Sequence, residues 1–333
     1  MRVLVAGGCG FLGSHFVRRL SERGDEVVVL DKLTYAGNPA NLEGVDHILV
    51  DGDIADEEAV RQAADGCEAI VNFAAETHVD RSILSAREFI HTDVLGTYVL
   101  LERARESGAR LVQVSTDEVY GDVPAGVSSR EDDLLLPSSP YAASKAGGDL
   151  QVLSHVRTFG VDGLITRGSN TYGPNQYPEK MIPLFVTNAL DGQELPLYGD
   201  GRQVRDWLHV TDHCAAIDLV LREGEAGTTY NVGAGADRQN RVVAMQILAL
   251  CGADPGLLRH VADRPGHDRR YSLDCSRLHR LGWRATSDFD VGLAETVDWY
   301  RSRRDWWEPI KSRDYKSGDY LEYYREQYAA RLA

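Results

Sequence analysis

Through the first half of the chain, short runs of consecutive apolar residues alternate with amphipathic stretches. The runs Val3 to Ala6, Val27 to Leu30, His47 to Val50, Ala69 to Phe73, Leu111 to Val114 and Gly163 to Thr166 are too short for ordinary helices. They also lack the apolar/polar alternation of a half-exposed strand, which predicts strands buried on both faces. Between them, Phe16-Val17-Leu20 and Val94-Tyr98-Leu101 recur at helical spacing. Strands alternating with helices predict an α/β fold with a doubly wound parallel sheet. The second half is less regular and richer in Gly, Pro, Tyr and Trp, with helical stretches near Ile182 to Leu190, Thr211 to Arg222 and Val242 to Leu250. No internal repeat, low-complexity tract or flexible linker separates the halves, so a smaller second lobe is expected to pack closely on the first.

Charge narrows the range of partners. The chain carries 36 basic and 51 acidic residues, a formal net charge of -15. A surface that acidic repels phosphate backbones and anionic lipid, so nucleic acid and membrane are not expected partners. An anionic small molecule remains open to it where Arg and Lys cluster. Five cysteines, Cys9, Cys67, Cys214, Cys251 and Cys275, lie far apart without a CxxC pair. That pattern suits neither a disulfide framework nor a metal site and fits a reducing compartment. No signal-peptide pattern and no apolar run long enough for a membrane span stand out, so the expected location is the cytoplasm.

The first strand runs into Gly7-Gly8-Cys9-Gly10-Phe11-Leu12-Gly13, which matches a dinucleotide fingerprint in two registers, Gly7/Gly10/Gly13 and Gly8/Gly10/Gly13. Glycines here permit a tight turn, close approach of the backbone to a pyrophosphate and close helix–strand packing. The helix that follows offers its N-terminus to the phosphates. Asp31 closes the second strand about twenty residues on, where a carboxylate holds the ribose 2′-hydroxyl and repels the 2′-phosphate of NADP. The motif in this context points to a Rossmann-type sheet and to NAD.

Tyr141-Ala142-Ala143-Ser144-Lys145 sets a phenol and an ammonium four residues apart on one helix face. A free tyrosine, with a pKa of about 10, is ionised about once in a thousand at neutral pH. A cation that lowered the value by about three units would supply about 4 kcal/mol in favour of the phenolate. Tyr141 then becomes a credible base for a sugar hydroxyl. Such a pair is common by chance. It gains weight from the dinucleotide fingerprint and from Ser115-Thr116 at the end of an intervening strand.

These residues resemble the extended short-chain dehydrogenase/reductases and, among them, the dTDP-glucose 4,6-dehydratase family. The likeness spans nearly the whole chain. Besides the glycine turn and the Tyr-Lys pair it is carried by Asp31 to Asn38, Ala74 to Ser82, Ser115 to Gly121, Tyr172-Gly173-Pro174, Pro178-Glu179-Lys180, Tyr198 to Gly201, Arg205-Asp206-Trp207 and Asp263 to His267. The resemblance implies that Asp117 is the acid for a departing 6-hydroxyl and Glu118 the base for the C5 proton, while Thr116 bonds the 4-hydroxyl. Adjacent strand residues point to opposite faces, so the strand has to end at or before Thr116 and turn.

The resemblance further implies an NAD site formed by Gly7, Gly10, Phe11, Leu12, Gly13, Asp31, Lys32, Leu33, Thr34, Asp53, Ile54, Ala74, Ala75, Thr92, Tyr141, Lys145 and Thr171. For a nucleotide-sugar substrate it implies Thr77 and Thr116 near the glucose, and Pro196, Leu197 and Tyr198 along the thymine. Asn170, Lys180, Met181, Arg205, Asn240, Arg264 and His267 are implied on the diphosphate. No metal is expected. Asp93 stands where the family pattern leads one to expect Asn, Thr171 where it has a second Asn, and Met181 where it has Leu.

Residues 1–166, rejoined by about 206–232, are expected to bind the dinucleotide, with 167–205 and 233–333 forming most of the nucleotide-sugar lobe. A homodimer paired through helices of the dinucleotide lobe is the family's habit. Trp306-Trp307 and the tyrosines from Tyr315 to Tyr328 read as packing of a C-terminal helix. Three alternatives stay open: another nucleotide-hexose 4,6-dehydratase, a nucleotide-sugar C4 epimerase, and a non-catalytic NAD(H) sensor. The Asp117-Glu118 pair speaks against epimerisation and the intact Tyr-Lys pair against a sensor.

Overall fold

The computed structural model describes residues 1–317, with side chains to Ser312. In its first part the chain runs β1 (Arg2–Ala6), α1 (Phe11–Glu22), β2 (Glu26–Asp31), β3 (Ile48–Asp51), α2 (Glu57–Ala63), β4 (Ala69–Asn72), α3 (Val79–Leu84), α4 (Arg87–Ile90), a π-helical turn (His91–Gly96), α5 (Thr97–Ser107), β5 (Arg110–Thr116), α6 (Pro140–Phe159) and β6 (Gly163–Gly168). It continues through β7 (Asn170–Tyr172), α7 (Met181–Leu190), β8 (Leu195–Tyr198), β9 (Val204–His209), α8 (Val210–Glu223), β10 (Thr229–Val232), β11 (Asp237–Gln239), α9 (Asn240–Cys251) and β12 (Leu258–Val261). Helices α10 (Ser276–Arg280), α11 (Phe289–Ser302) and α12 (Arg304–Ser317) follow.

All six expected strands form, and with β10 they make a parallel sheet ordered β3-β2-β1-β4-β5-β6-β10. Their unbroken apolar runs have a direct cause: alternate residues feed opposite faces of the sheet. Val3, Val5, Val27 and Val29 join Phe16, Val17 and Leu20 of α1 and Ile217 of α8 in one core. Leu4, Ala6, Val28 and Leu30 join Ile70, Leu100 and Leu111 in the core on the other face. The strand order reverses direction between β1 and β4, the point at which open α/β sheets bind ligands.

Two readings of the pattern need correction. The run at residues 47–50 forms a strand but not a buried one: Ile48 and Leu49 are 47% and 40% exposed, because β3 is the sheet edge and pairs only with β2. Tyr98 points outward, although it shares helical spacing with buried Leu101. The inward face of that segment carries Asp93, Gly96 and Thr97, small and polar residues that an apolar pattern does not register.

Apart from α8, β10 and α10, which pack with the main sheet, the chain after β6 builds a smaller lobe from two short sheets, ordered β11-β9-β7 and β12-β8, and from α7, α9 and α11. Its core gathers Tyr172, Phe185, Leu197, Trp207, Ile247, Phe289, Leu293 and Tyr300. Trp306 and Trp307 pack there as expected, with indole N–H groups bonded to Asn41 Oδ1 at 2.9 Å and Tyr300 O at 2.7 Å. The expected packing of Tyr315 to Tyr328 lies outside the described side chains. Among the described residues no helix is long and apolar enough to cross a membrane.

Candidate active site

The glycine turn is shaped by contacts that exclude any side chain. Gly7 has φ +74°, and a Cβ there would stand 2.6 Å from the Ala74 amide nitrogen; one on Gly13 would stand 2.2 Å from Gly7 O. Helix α1 therefore starts hard against β1 and β4. Its N-cap, Gly10, offers no side-chain cap, and its first turn holds no acidic residue. The positive end of the helix thus opens into the cavity lined by Gly7, Gly10, Phe11, Leu12 and Gly13. At the end of β2, buried Asp31 accepts the Cys9 amide on Oδ2 and the Leu33 amide on Oδ1, both at 2.9 Å. Burial holds its carboxyl above the ordinary value, partly offset by those two amides. Each oxygen keeps a second lone pair for a diol. The uncapped helix end, the shaved glycine cradle and this carboxylate fit the pyrophosphate and ribose of a dinucleotide.

Across the cavity, β5 stops at Thr116, as the chemistry requires. A single 3-10 turn, Asp117–Tyr120, follows, and Thr116 caps it by accepting the Glu118 amide at 3.3 Å. The turn brings Asp117 and Glu118 to the wall that also holds Thr116, Tyr141 and Lys145. Asp117 is buried, with Oδ1 accepting from Thr116 Oγ1 at 3.2 Å and Oδ2 unbonded. Burial and then the Glu118 charge push its carboxyl well above the usual carboxylate range, the direction that suits a proton donor.

Ser139 caps α6 by accepting the Ala142 amide, with Pro140 at the helix start. That first turn presents Tyr141, whose phenol shares a hydrogen bond with Thr116. Lys145 Nζ donates to Val114 O at 2.8 Å. The expected lowering of the Tyr141 pKa is not found. Burial, then the carboxylates of Glu118 and Asp93, hold the phenol well above its ordinary value, against the Thr116 hydrogen bond. Spacing along a helix reports the cation but neither the burial nor carboxylates arriving from other elements.

A second cavity lies in the smaller lobe and meets the first at Glu118, Asn170, Glu179 and Lys180. Its walls include Met181, Pro196, Leu197, Tyr198, Arg205, Asn240, Arg264 and His267. Lys180 donates to Thr77 O, and burial lowers its pKa. Arg205 donates to Asp268 O at 2.9 Å, and its guanidinium lies 4.1 Å from the centre of the Tyr271 ring. Tyr198 donates to Asp80 Oδ2 at 2.7 Å, tying the lobes together.

The two cavities collect the residues singled out from the sequence with one exception. Lys32, Thr34, Asp53, Ile54, Ala74, Ala75, Thr77, Thr92 and Thr171 all line the first. The side chain of Leu33 instead packs against the core of the dinucleotide lobe, and at φ 51° its backbone turns so that its amide reaches Asp31. Thr171 Oγ1 lies 2.7 Å from Nδ1 of buried His213, so the replacement anchors another side chain of the same cavity wall. Sequence reasoning misses Glu179, Tyr271 and Trp306. Buried Glu179 pairs with Arg81 and accepts from Tyr35, and Tyr271 reaches Glu118 at 3.4 Å. The signal available for Glu179 is its place in the Pro178-Glu179-Lys180 motif, beside Lys180. Trp306, expected only to pack, also walls the first cavity.

The reversed parallel sheet, open glycine turn and Tyr-Lys pair define a class. The chain belongs to the NAD dependent epimerase/dehydratase family, whose model matches residues 3–233. Within that class it is 52% identical over 330 residues to the dTDP-glucose 4,6-dehydratase of Streptomyces niveus, covering 96% of this chain and 98% of that one. The crystal structure of DesIV, a dTDP-glucose 4,6-dehydratase from Streptomyces venezuelae with NAD bound, superposes with a TM-score of 0.91 at 54% identity. That match covers 93% of this chain and 100% of DesIV. The UDP-glucose 4-epimerase of Thermus thermophilus, in complex with NAD, matches at 34% identity with a TM-score of 0.86, over 91% of this chain and 100% of that one.

Proposed function

We propose that this chain is a lyase that converts dTDP-glucose into dTDP-4-keto-6-deoxyglucose with NAD as cofactor. The observation that carries the reading is the turn after β5. It places Asp117, its carboxyl raised well above the usual range, and Glu118 on the wall that holds Tyr141. Oxidation and re-reduction at C4 would need no such pair; eliminating water needs an acid and a base.

NAD, held by the Gly7–Gly13 turn, Asp31 and the walls above, supplies the hydride acceptor at C4 and the donor at C6. Tyr141 keeps its own proton in the unliganded chain and would take that of the 4-hydroxyl once the positive charge of bound NAD offsets the carboxylates around it. Thr116 orients that hydroxyl, and Lys145 lines the same wall. Once C4 is a ketone, the charge left by removal of the C5 proton is delocalised, and Glu118 takes that proton. Asp117 protonates the 6-hydroxyl, which leaves as water; C5 then regains a proton as C6 becomes a methyl. Lys180, Arg205 and Arg264 neutralise the diphosphate with Asn170, Asn240, Met181 and His267 around it. Pro196, Leu197 and Tyr198 line the thymine and Thr77 borders the sugar. Residues 1–166, rejoined by about 206–232, serve the dinucleotide, and 167–205 with 233–333 serve mainly the nucleotide sugar. The dispersed thiols suit the cytoplasm.

Incubation with dTDP-glucose and NMR of the product tests the reading. A new C6 methyl doublet is expected; unchanged sugar, or galactose from C4 inversion, refutes it. Asp31→Asn keeps one acceptor oxygen but removes the charge. It is expected to narrow the preference for NAD over NADP by about tenfold, the worth of one hydrogen bond to a charged group. Calorimetric titration with both cofactors measures this, and an unchanged ratio takes Asp31 off the ribose.

The chain is proposed to work as a homodimer. Ile90, Leu95 and Tyr98 on one helical segment and Leu150 and Phe159 on neighbouring α6 are exposed, an apolar surface that favours a partner. Sedimentation is expected to give twice the 36.8 kDa chain mass at micromolar concentration, and Leu95→Glu with Leu150→Glu to give the single chain. A wild-type monomer would refute the pairing.

A further inference from the structure

Helix α6 comes unusually close to the π-helical turn at His91–Gly96. Gly147 and Gly148 allow it, since a Cβ on Gly148 would stand 2.7 Å from Asp93 O. The approach delivers the Asp93 side chain, wholly shut off from solvent, to the base of the Tyr141–Lys145 pair. Asp93 Oδ2 accepts from Ser144 Oγ at 2.6 Å. Oδ1 has no hydrogen-bond partner and stands 3.9 Å from Lys145 Nζ. A carboxyl buried with one oxygen met only by a cation is a costly way to hold a helix turn.

We propose that Asp93 is a positioning residue for proton uptake by Tyr141: its carboxylate holds the Lys145 ammonium from the π-turn side and offsets that charge at the phenol. The inference rests on Tyr141 being the base for the 4-hydroxyl. Asp93 feels Lys145 and Asp149 of α6, the latter ion-paired with Arg167 of β6 at 2.8 Å, and it acts in turn on Glu76 beyond β4. Tyr141 faces Asp93, Glu118 and Asp117. Burial raises the Asp93 carboxyl to about 6, with Lys145 and Ser144 opposing the rise. Above that pH the carboxylate adds negative charge near the phenol and shifts its ionisation to higher pH; an amide at position 93 would not.

The first arm of the test needs no substrate. In protein labelled with [γ-13C]aspartate, the carboxyl resonance absent from Asp93→Asn is expected to titrate near pH 6. In Lys145→Met its midpoint is expected to rise by about one unit, the loss of one nearby cation. A midpoint that ignores Lys145→Met overturns the pairing. The second arm follows single-turnover cofactor reduction by dTDP-glucose across pH. Asp93→Asn is expected to move the rising limb about one pH unit toward acid, about tenfold faster between about pH 6 and the midpoints, with the two profiles converging below about pH 6, where Asp93 is itself uncharged. A superimposable profile, or a uniform loss at every pH, overturns the proposal. Absence of any cofactor reduction in the unaltered protein would instead refute the assigned reaction, leaving the resonance titration to decide the role of Asp93.

Discussion

Tyr141→Phe slows oxidation of C4 by about a thousandfold or more, toward the upper range for loss of a general base. The ring itself is retained. Its edge-on contact with Phe89, with centroids 6.3 Å apart, and the N-terminus of α6 survive, so substrate affinity stays within about twofold while the chemistry fails. The proton of the 4-hydroxyl then has no acceptor at the moment hydride departs. Thr116 cannot replace the phenol, because an aliphatic hydroxyl is far less acidic than a phenol and is no base near neutral pH. Stopped-flow absorbance of the reduced cofactor in a single turnover measures the effect. A variant that oxidises within tenfold of the unaltered protein would remove Tyr141 from the proton path.

Glu118→Gln lowers overall turnover by a similar factor, about a thousandfold, but stops the reaction one step later. The amide keeps the length of the side chain and an oxygen for the Tyr271 hydroxyl 3.4 Å away. It cannot take a proton from C5. Oxidation proceeds, so the reduced cofactor and a 4-keto-glucose accumulate on the protein where the unaltered chain shows little of either. In deuterium oxide, the C5 position exchanges with solvent during unaltered turnover and does not in the variant. Persistent C5 exchange, or oxidation blocked as completely as by Tyr141→Phe, would show that Glu118 does another job. Asp117 sharpens the contrast. Burial and the Glu118 charge raise its carboxyl well above the usual range, which favours Asp117 for the acid role.

How much of this is legible in the sequence depends on whether a feature is written in local periodicity. The central strands are, because Val3–Val5 and Leu4–Ala6 must each fill one face of the sheet. The end of β5 is legible by a chemical argument: two neighbouring side chains can reach one sugar only if the strand stops. The edge exposure of Ile48 and the outward Tyr98 are not, since neighbours in space decide them. The short strands β7, β8, β11 and β12 span three or four residues each, too few to establish a period. The resting Tyr141 escapes the sequence for the same reason. Its field is set by Asp93 and Glu118, which lie 48 and 23 positions away in the chain (141 − 93 and 141 − 118). Glu179 and Tyr271 stay hidden because a buried ionisable group looks like a surface one until the fold encloses it.

The cavity beside β1 also carries a consequence for synthesis. One wall is made by Gly7 to Gly13 and another by Trp306 and Ile310 of α12, so the first and last described stretches of the chain share one binding site. The sheet behind it is likewise unfinished until β10, residues 229–232, covers the edge of β6. A ribosome that has released only the first half has therefore made six strands with an open apolar edge and a nucleotide site lacking a side, a species prone to sticking to others of its kind. The site is therefore walled on this side only once α12 has docked beside the glycine turn. A chain clipped just before Trp306 is expected to bind NAD more weakly than the whole chain, and calorimetric titration of both measures it; equal affinities would show that wall to be dispensable.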